Sequence, residues 1–145
     1  MNLKILSVWA TVILIGCVVA LVISRSIFGT GPITIAVQIA AFLLMVWARL
    51  TFGMRSFHAS ANPTSGGLVT SGPYRYLRHP IYAAIFYFLW AGVAAHFSLM
   101  TASVGLLATG MLGVRIWSEE TLLKAEYPEY AEYSRTTARV APFLF

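Results

Sequence analysis

IYAAIFYFLWAGVAAHFSLMTASVGLLATGMLGV, the stretch from Ile81 to Val114, contains no Asp, Glu, Lys or Arg. An uncharged, apolar run of this kind suits hydrocarbon, yet at about 1.5 Å per helical residue it is too long for one crossing of a bilayer core about 30 Å thick. It must fold back on itself, and the polar interruption near its middle is Ala95-His96-Phe97-Ser98. The run therefore reads as a helical hairpin with arms over 80–95 and 98–117. Its small residues Gly92, Gly105, Gly110 and Gly113 are expected to let the arms approach closely.

Towards the N-terminus, Ile5 to Ser24 carries no ionisable residue apart from Cys17 and matches the roughly 20 residues of a membrane helix. Lys4 before an apolar run also suits a secretory signal, but the apolar core of such a signal is only about 7–15 residues. Span one, 5–24, is thus expected to be retained. After Arg25 and the breakers Gly29-Thr30-Gly31-Pro32, a second uncharged run from Ile33 to Ala48 stops at Arg49, giving span two over 32–48. The expected fold class is an all-α integral membrane protein with four transmembrane helices, the last two a hairpin, and a C-terminal helical segment. One domain covers 1–145, with no internal repeat.

Composition points the same way: 59% of the 145 residues are hydrophobic and 10% charged, against about 25% charged in soluble domains. Ten Lys and Arg face five Asp and Glu, too few and too dispersed for a nucleic-acid-binding face. A lone Cys17 excludes an intrachain disulfide, and no ligand cluster suggests a metal. Basic residues set the orientation, since Lys and Arg concentrate in cytoplasmic segments. With four spans and the N-terminus inside, Lys4, the loop arginines Arg49, Arg55, Arg75 and Arg78, and Arg115, Lys124, Arg135 and Arg139 all fall on the cytoplasmic side. Arg25 alone falls outside, so both termini and any site near them are expected to be cytoplasmic.

All five acidic residues, Glu119, Glu120, Glu126, Glu129 and Glu132, follow the hairpin. They share a membrane side with the loop before it, so a polar site is expected between Gly66–Tyr82 and Arg115–Tyr133. Pro80 suits the first position of the third span, His79 before it is pushed towards extended backbone, and the amides from Ile81 onward form a positive helix end fit for a carboxylate or phosphate. Tyr82 adds a hydroxyl. The plainer reading of these Tyr and Arg residues is an interfacial belt. Arg115 and Glu119 stand four apart on one helix face; as an exposed pair they would be worth about 0.3–0.5 kcal/mol. Two adjacent carboxylates at a bilayer boundary need more cation than Arg115 alone supplies. Pro128 ends this helix and can open a short one, with Glu129 in its first turn and Tyr130 and Tyr133 on one face, an amphipathic lid on the membrane.

These residues together resemble a known family. Leu68-Val69-Thr70-Ser71-Gly72-Pro73-Tyr74, then Arg78-His79-Pro80-x-Tyr82, Glu119-Glu120-x-x-Leu123 and Tyr130-x-x-Tyr133, resemble the isoprenylcysteine carboxyl methyltransferase family and its phospholipid N-methyltransferase relatives. The resemblance implies a membrane enzyme that uses S-adenosylmethionine in a cytoplasmic pocket at the end of a helical hairpin, closed by the C-terminal segment. It places the cofactor loop at 62–80 and the lid at 118–145. By position it implies cofactor contacts from Gly66, Gly67, Leu68, Val69, Tyr74, His79, Pro80, Ile81, Tyr82 and Glu119, with Glu120 able to take the place of Glu119. Arg115 matches the arginine used towards substrate, and Glu119 is the second candidate catalytic residue. The implied partner is a lipid-like or prenylated small molecule reached from the membrane lipids. Three positions depart from the family pattern: Ala84 where glycine is usual, Gly66-Gly67 where histidine is common, and Tyr127-Pro128 in place of Phe-Gly.

Methyl transfer is an in-line displacement that asks the protein mainly to align donor and acceptor and exclude water. A carboxylate or thiolate acceptor is already nucleophilic, and Arg115 would favour the anionic kind. An amine would need Glu119 or Glu120 as base. Two other readings compete: an NADPH-dependent membrane reductase of the sterol-reductase type, which would want more basic residues for the 2′-phosphate, and a four-span transporter or scaffold. A proton-coupled transporter commonly needs an ionisable residue inside a span, and none is expected here beyond His96 at the hairpin tip.

Overall fold

The structure is a computed structural model that describes residues 2–53 and 67–141. These form five α-helices and no strand; the single pairing of extended backbone among them is a bridge between Leu77 and Ala138. Helix α1 spans Leu3–Ile23, opened by the Asn2 side chain accepting from the Lys4 amide at 3.1 Å, a standard N-terminal cap. It stops where Arg25 adopts a left-handed φ of 55° and the Arg25 and Ser26 amides turn back to the carbonyls of Val22 and Leu21. That closure satisfies carbonyls the helix end would otherwise orphan.

Helix α2 spans Pro32–Phe52, with Pro32 in its first turn. Buried Gln38 on α2 donates to the carbonyls of Ile27 (2.7 Å) and Phe88 (3.1 Å) and accepts from the Gly29 amide at 2.8 Å. One amide thereby bolts the α1–α2 loop to α2 and to the next helix. Helix α3 spans Pro80–Ala95 and α4 Leu99–Glu126, the latter capped by reciprocal bonds between Ser98 and Thr101. A short helix, α5, covers Tyr130–Thr136.

The chain turns back at His96-Phe97-Ser98, but the hairpin arms do not pair chiefly with each other. Helix α4 lies along α1, and α3 along α2, with a lesser α3–α4 contact that includes the Trp90 indole donating to Thr109 Oγ1 at 3.0 Å. Leu14, Cys17 and Leu21 of α1, Ile27 of the α1–α2 loop, Leu89 and Val93 of α3, and Ala108 and Leu112 of α4 form the core. The expected role of the small residues is corrected accordingly. Gly105 does receive Val93 and Trp90 of α3, whereas Gly92 faces the Ile27 backbone, and Gly110 and Gly113 meet nothing within 4 Å.

Helices α1, α2 and α4 are long and apolar enough to cross a membrane, and their outer faces present residues such as Trp9, Val12, Ile39, Leu43 and Leu106. Helix α3 is apolar but has 16 residues, about 24 Å of helix. Helix α4 runs nine residues past the expected limit at 117, so Glu119 and Glu120 stand within it. Arg115 does not simply emerge from the bundle either: it is 5% exposed and reaches Ser7 and Thr11, in the second and third turns of α1. The expectation of no ionisable group inside the spans is therefore corrected at Arg115.

A Cβ at Gly92 would lie 2.4 Å from the Ile27 carbonyl oxygen, so Gly92→Val is expected to destabilise the purified protein by about 2 kcal/mol. Gly110→Ala, facing open space, is expected to stay within about 0.5 kcal/mol. Thermal unfolding in detergent checks both; equal midpoints for the two variants would contradict the close approach.

Candidate functional site

The loop before α3 and the end of α4 are drawn together by charge. Successive helical residues diverge by about 100°, so Glu119 and Glu120 point different ways and recruit different partners. Glu119, its side chain 23% exposed, binds Arg115 Nη2 at 3.1 Å and accepts from the Tyr82 hydroxyl. Tyr82 in turn accepts from Arg115 Nε at 2.9 Å, with the guanidinium 5.3 Å from its ring centre. Glu120 is buried and meets Arg78 Nε at 3.4 Å and Arg139 Nη2 at 3.2 Å.

His79 sits between the two acids. Its Nδ1 lies 3.7 Å from Glu119 and its Nε2 3.4 Å from Glu120, and its ring stacks on Tyr82 with centroids 5.6 Å apart. Pro80 at the first helical position fixes the turn that presents this ring. Backbone pairing holds the turn from behind: Arg78 and His79 amides donate to the carbonyls of Ala138 (2.7 Å) and Arg139 (3.0 Å), and the Ala138 amide donates to Tyr76 at 3.1 Å. Arg78 Nη1 also reaches the Ser134 carbonyl at 2.6 Å. The C-terminal segment is thus strapped to the 76–79 loop.

Helix α5 folds inward. Tyr130 is 1% exposed, Tyr133 donates to the Tyr74 carbonyl at 2.6 Å, and their rings meet edge to face at 5.9 Å. The short helix expected after Pro128 is therefore present, with its tyrosine face turned to protein, while residues 118–126 of the expected lid belong to α4. Burial pushes the Tyr133 hydroxyl up to about 12, against the pull of Arg78 and Thr137. Burial likewise raises Tyr74, with Tyr133 and Glu119 adding, and raises Tyr130, with Glu120 adding. All three remain neutral donors near neutral pH. The Tyr130 hydroxyl lies beside Glu120 without hydrogen-bond geometry.

These groups enclose a cavity of about 450 Å³, within the 300–1,000 Å³ typical of small-molecule sites. Of the residues expected at the site, Gly67, Leu68, Val69, Tyr74, His79, Pro80, Ile81, Tyr82, Arg115 and Glu119 all line it. Gly66 lies outside the described residues. Glu120 does not line the cavity; it stands behind His79, among Arg78 and Arg139. The opposite wall is apolar, built by Leu14, Ile15, Val18 and Val19 of α1 with Ile85. A second cavity of about 230 Å³, lined by apolar residues alone, shares Val18 and Ile85 with the first.

Sequence reasoning missed the α1 wall, together with Arg49, Phe52 and Ile85. One signal was available: Ser7 and Thr11 are hydroxyl residues at i,i+4 in an otherwise apolar helix, and both turn inward. The need for a cation beyond Arg115 around Glu119-Glu120 was legible too, though not which residues would supply it; they are Arg78 and Arg139. Among the described residues no three His, Cys, Asp or Glu side chains group as metal ligands.

Over residues 32–125 the chain matches the isoprenylcysteine carboxyl methyltransferase (ICMT) family. It is similar to the cobalt-zinc-cadmium resistance protein CzcN of Cupriavidus metallidurans, 37% identical over 78 residues that make up 53% of this chain and 36% of that protein. It is also similar to the nickel-cobalt-cadmium resistance protein NccN of Alcaligenes xylosoxydans xylosoxydans, 36% identical over 78 residues, 53% of this chain and 37% of the relative. The chain thus spans little more than a third of the length of these curated relatives. No solved structure matches.

Removing the Glu120 charge would leave Arg78 and Arg139 facing each other around His79. Glu120→Gln is expected to cost about 3 kcal/mol of stability and to open the Tyr130–Arg139 segment to protease, read by thermal unfolding and by mass mapping of early cleavage sites. An unchanged cleavage pattern would show that Glu120 does not hold the strap.

Proposed function

We propose that this chain, which belongs to the isoprenylcysteine carboxyl methyltransferase family, is an integral-membrane methyltransferase that takes its methyl group from S-adenosylmethionine and passes it to a lipophilic or amphiphilic acceptor. A carboxylate like that of isoprenylcysteine is the favoured acceptor group, with an amine or thiol as the alternative. The observation that carries the reading is the cavity itself, which joins a polar end at Glu119, His79 and Tyr82 to an apolar end between α1 and Ile85. A charged, nucleoside-bearing donor and a hydrocarbon-bearing acceptor require such a combination.

The residues present fit that donor. The first-turn amides of α3, Ile81 and Tyr82, suit the methionine carboxylate, because a helix leaves them without internal acceptors. Glu119 suits the amine or ribose hydroxyls, and Gly67 to Val69 offer backbone beside Tyr74. Bound there, S-adenosylmethionine would supply a methyl group activated on a sulfonium. Arg115 would hold an anionic acceptor, while the α5 tyrosines and the apolar α1 wall exclude water. For an amine acceptor, Glu119 would take the proton; Glu120, already ringed by arginines and off the cavity, would not. The second, apolar cavity supports an acceptor with a hydrocarbon portion that enters sideways from the bilayer.

We further read α3 as the fourth span despite its 16 residues, with both termini and the site on the cytoplasmic side, a placement that the distribution of basic residues supports. Helix α4, about 42 Å long at 28 residues, would then project its last turns from the membrane and carry Glu119 and Glu120 into the cytoplasmic headgroup region.

Calorimetric binding to the detergent-purified protein tests the reading. S-adenosylmethionine and S-adenosylhomocysteine are expected to bind with Kd on the order of micromolar, weakened at least about tenfold in Glu119→Ala and His79→Ala. NADPH binding without adenosyl-ligand binding would favour a reductase instead, and binding of none of the three would favour a transporter or scaffold.

A further inference from the structure

We propose that Thr11, on the helix that precedes the family match, is a positioning residue that aims Arg115 at the site. The proposal rests on the methyltransferase reading for its functional consequence, though the contact itself does not. Thr11 Oγ1 donates its single proton to the Ser7 carbonyl at 2.8 Å, as hydroxyls in apolar helices commonly do. With that proton committed, the oxygen offers only lone pairs to the bundle, and it accepts from Arg115 Nη1. The same nitrogen lies 3.5 Å from the Ser7 carbonyl.

Arg115 is thereby gripped from three directions. Nη1 is held by α1, Nε by Tyr82 of α3 at 2.9 Å, and Nη2 by Glu119 of its own helix at 3.1 Å. A guanidinium has planar, fixed donor directions, so three partners on three helices determine its plane as well as its position. Thr11, Tyr82 and Glu119 all line the cavity, and of the three only Thr11 holds Arg115 from a helix outside the family match. The α1 hydroxyl thus fixes Arg115 and, through it, the Glu119 carboxylate.

The test uses the full chain in detergent, labelled with 15N-arginine. Wild type is expected to show a guanidinium resonance with slowed solvent exchange and hindered rotation that is missing in Arg115→Lys. Thr11→Val, which keeps the shape and removes the acceptor, is expected to lose it; Thr11→Ser, which restores the hydroxyl, is expected to keep it. Adenosylhomocysteine affinity in the same samples is expected to fall about fivefold in Thr11→Val and to remain within about twofold in Thr11→Ser. A wild type without the protected resonance overturns the proposal, as does a Thr11→Val protein that retains both the resonance and the affinity. A wild type that shows the resonance but binds no adenosyl ligand overturns the methyltransferase reading and leaves the Thr11–Arg115 anchor standing.

Discussion

Two carboxylates side by side at the end of an apolar helix, Glu119 and Glu120, set the terms for the polar half of this molecule. Like charges in a region of low polarity are tolerated only when each is surrounded by cations and donors. Because the helix turns them apart, the two solutions are separate. Glu120 is neutralised inward by Arg78 and Arg139, and Arg139 can reach it only if the C-terminal segment returns across the 76–79 loop. Glu119 is neutralised along the helix by Arg115 and across it by Tyr82. One acid organises the chain, and the other is left with a face towards the cavity.

His79 links the halves of this arrangement. A ring with one nitrogen near each carboxylate couples the cavity-facing acid to the buried one, so the strap that holds Glu120 also bears on the geometry at Glu119. The loop, α4 and the C-terminal segment consequently form one polar unit at the end of an apolar bundle. That unit lacks a wall on the α1 side, which Thr11 and the aliphatic residues below it supply.

Charge-free runs and breakers made the helices largely legible: α2 and α3 start at Pro32 and Pro80 as expected, whereas α1 starts at Leu3 rather than 5 and α2 runs on to Phe52 rather than 48. Helix α4 was misjudged at its far end, since Arg115 and the glutamates looked like the end of the helix when they find partners along it and α4 runs on to Glu126. Helix pairing was not legible. Helices that are apolar all round carry no stripe to say which face meets a neighbour, so glycine alone did not distinguish Gly105, packed on α3, from Gly110 and Gly113, which face open space. At the site, most of the residues named from motif resemblance do line one cavity, because those motifs lie on the two segments that the acids bring together. Glu120 could not be separated from Glu119 on sequence grounds, since the separation depends on the 100° between them and on where Arg139 lands.

The family match covers 32–125, while two of the walls of the cavity come from outside it: α1 before and α5 after. The matched segment supplies the loop, the α3 N-terminus and the α4 acids, while the flanking helices supply the aliphatic wall, the Thr11 contact to Arg115 and the tyrosine cover. The aliphatic wall of α1 also borders the apolar cavity that branches at Val18 and Ile85, so the apolar half of the site depends on a helix that the family match does not reach, whereas its polar half at His79, Tyr82, Arg115 and Glu119 lies within the match.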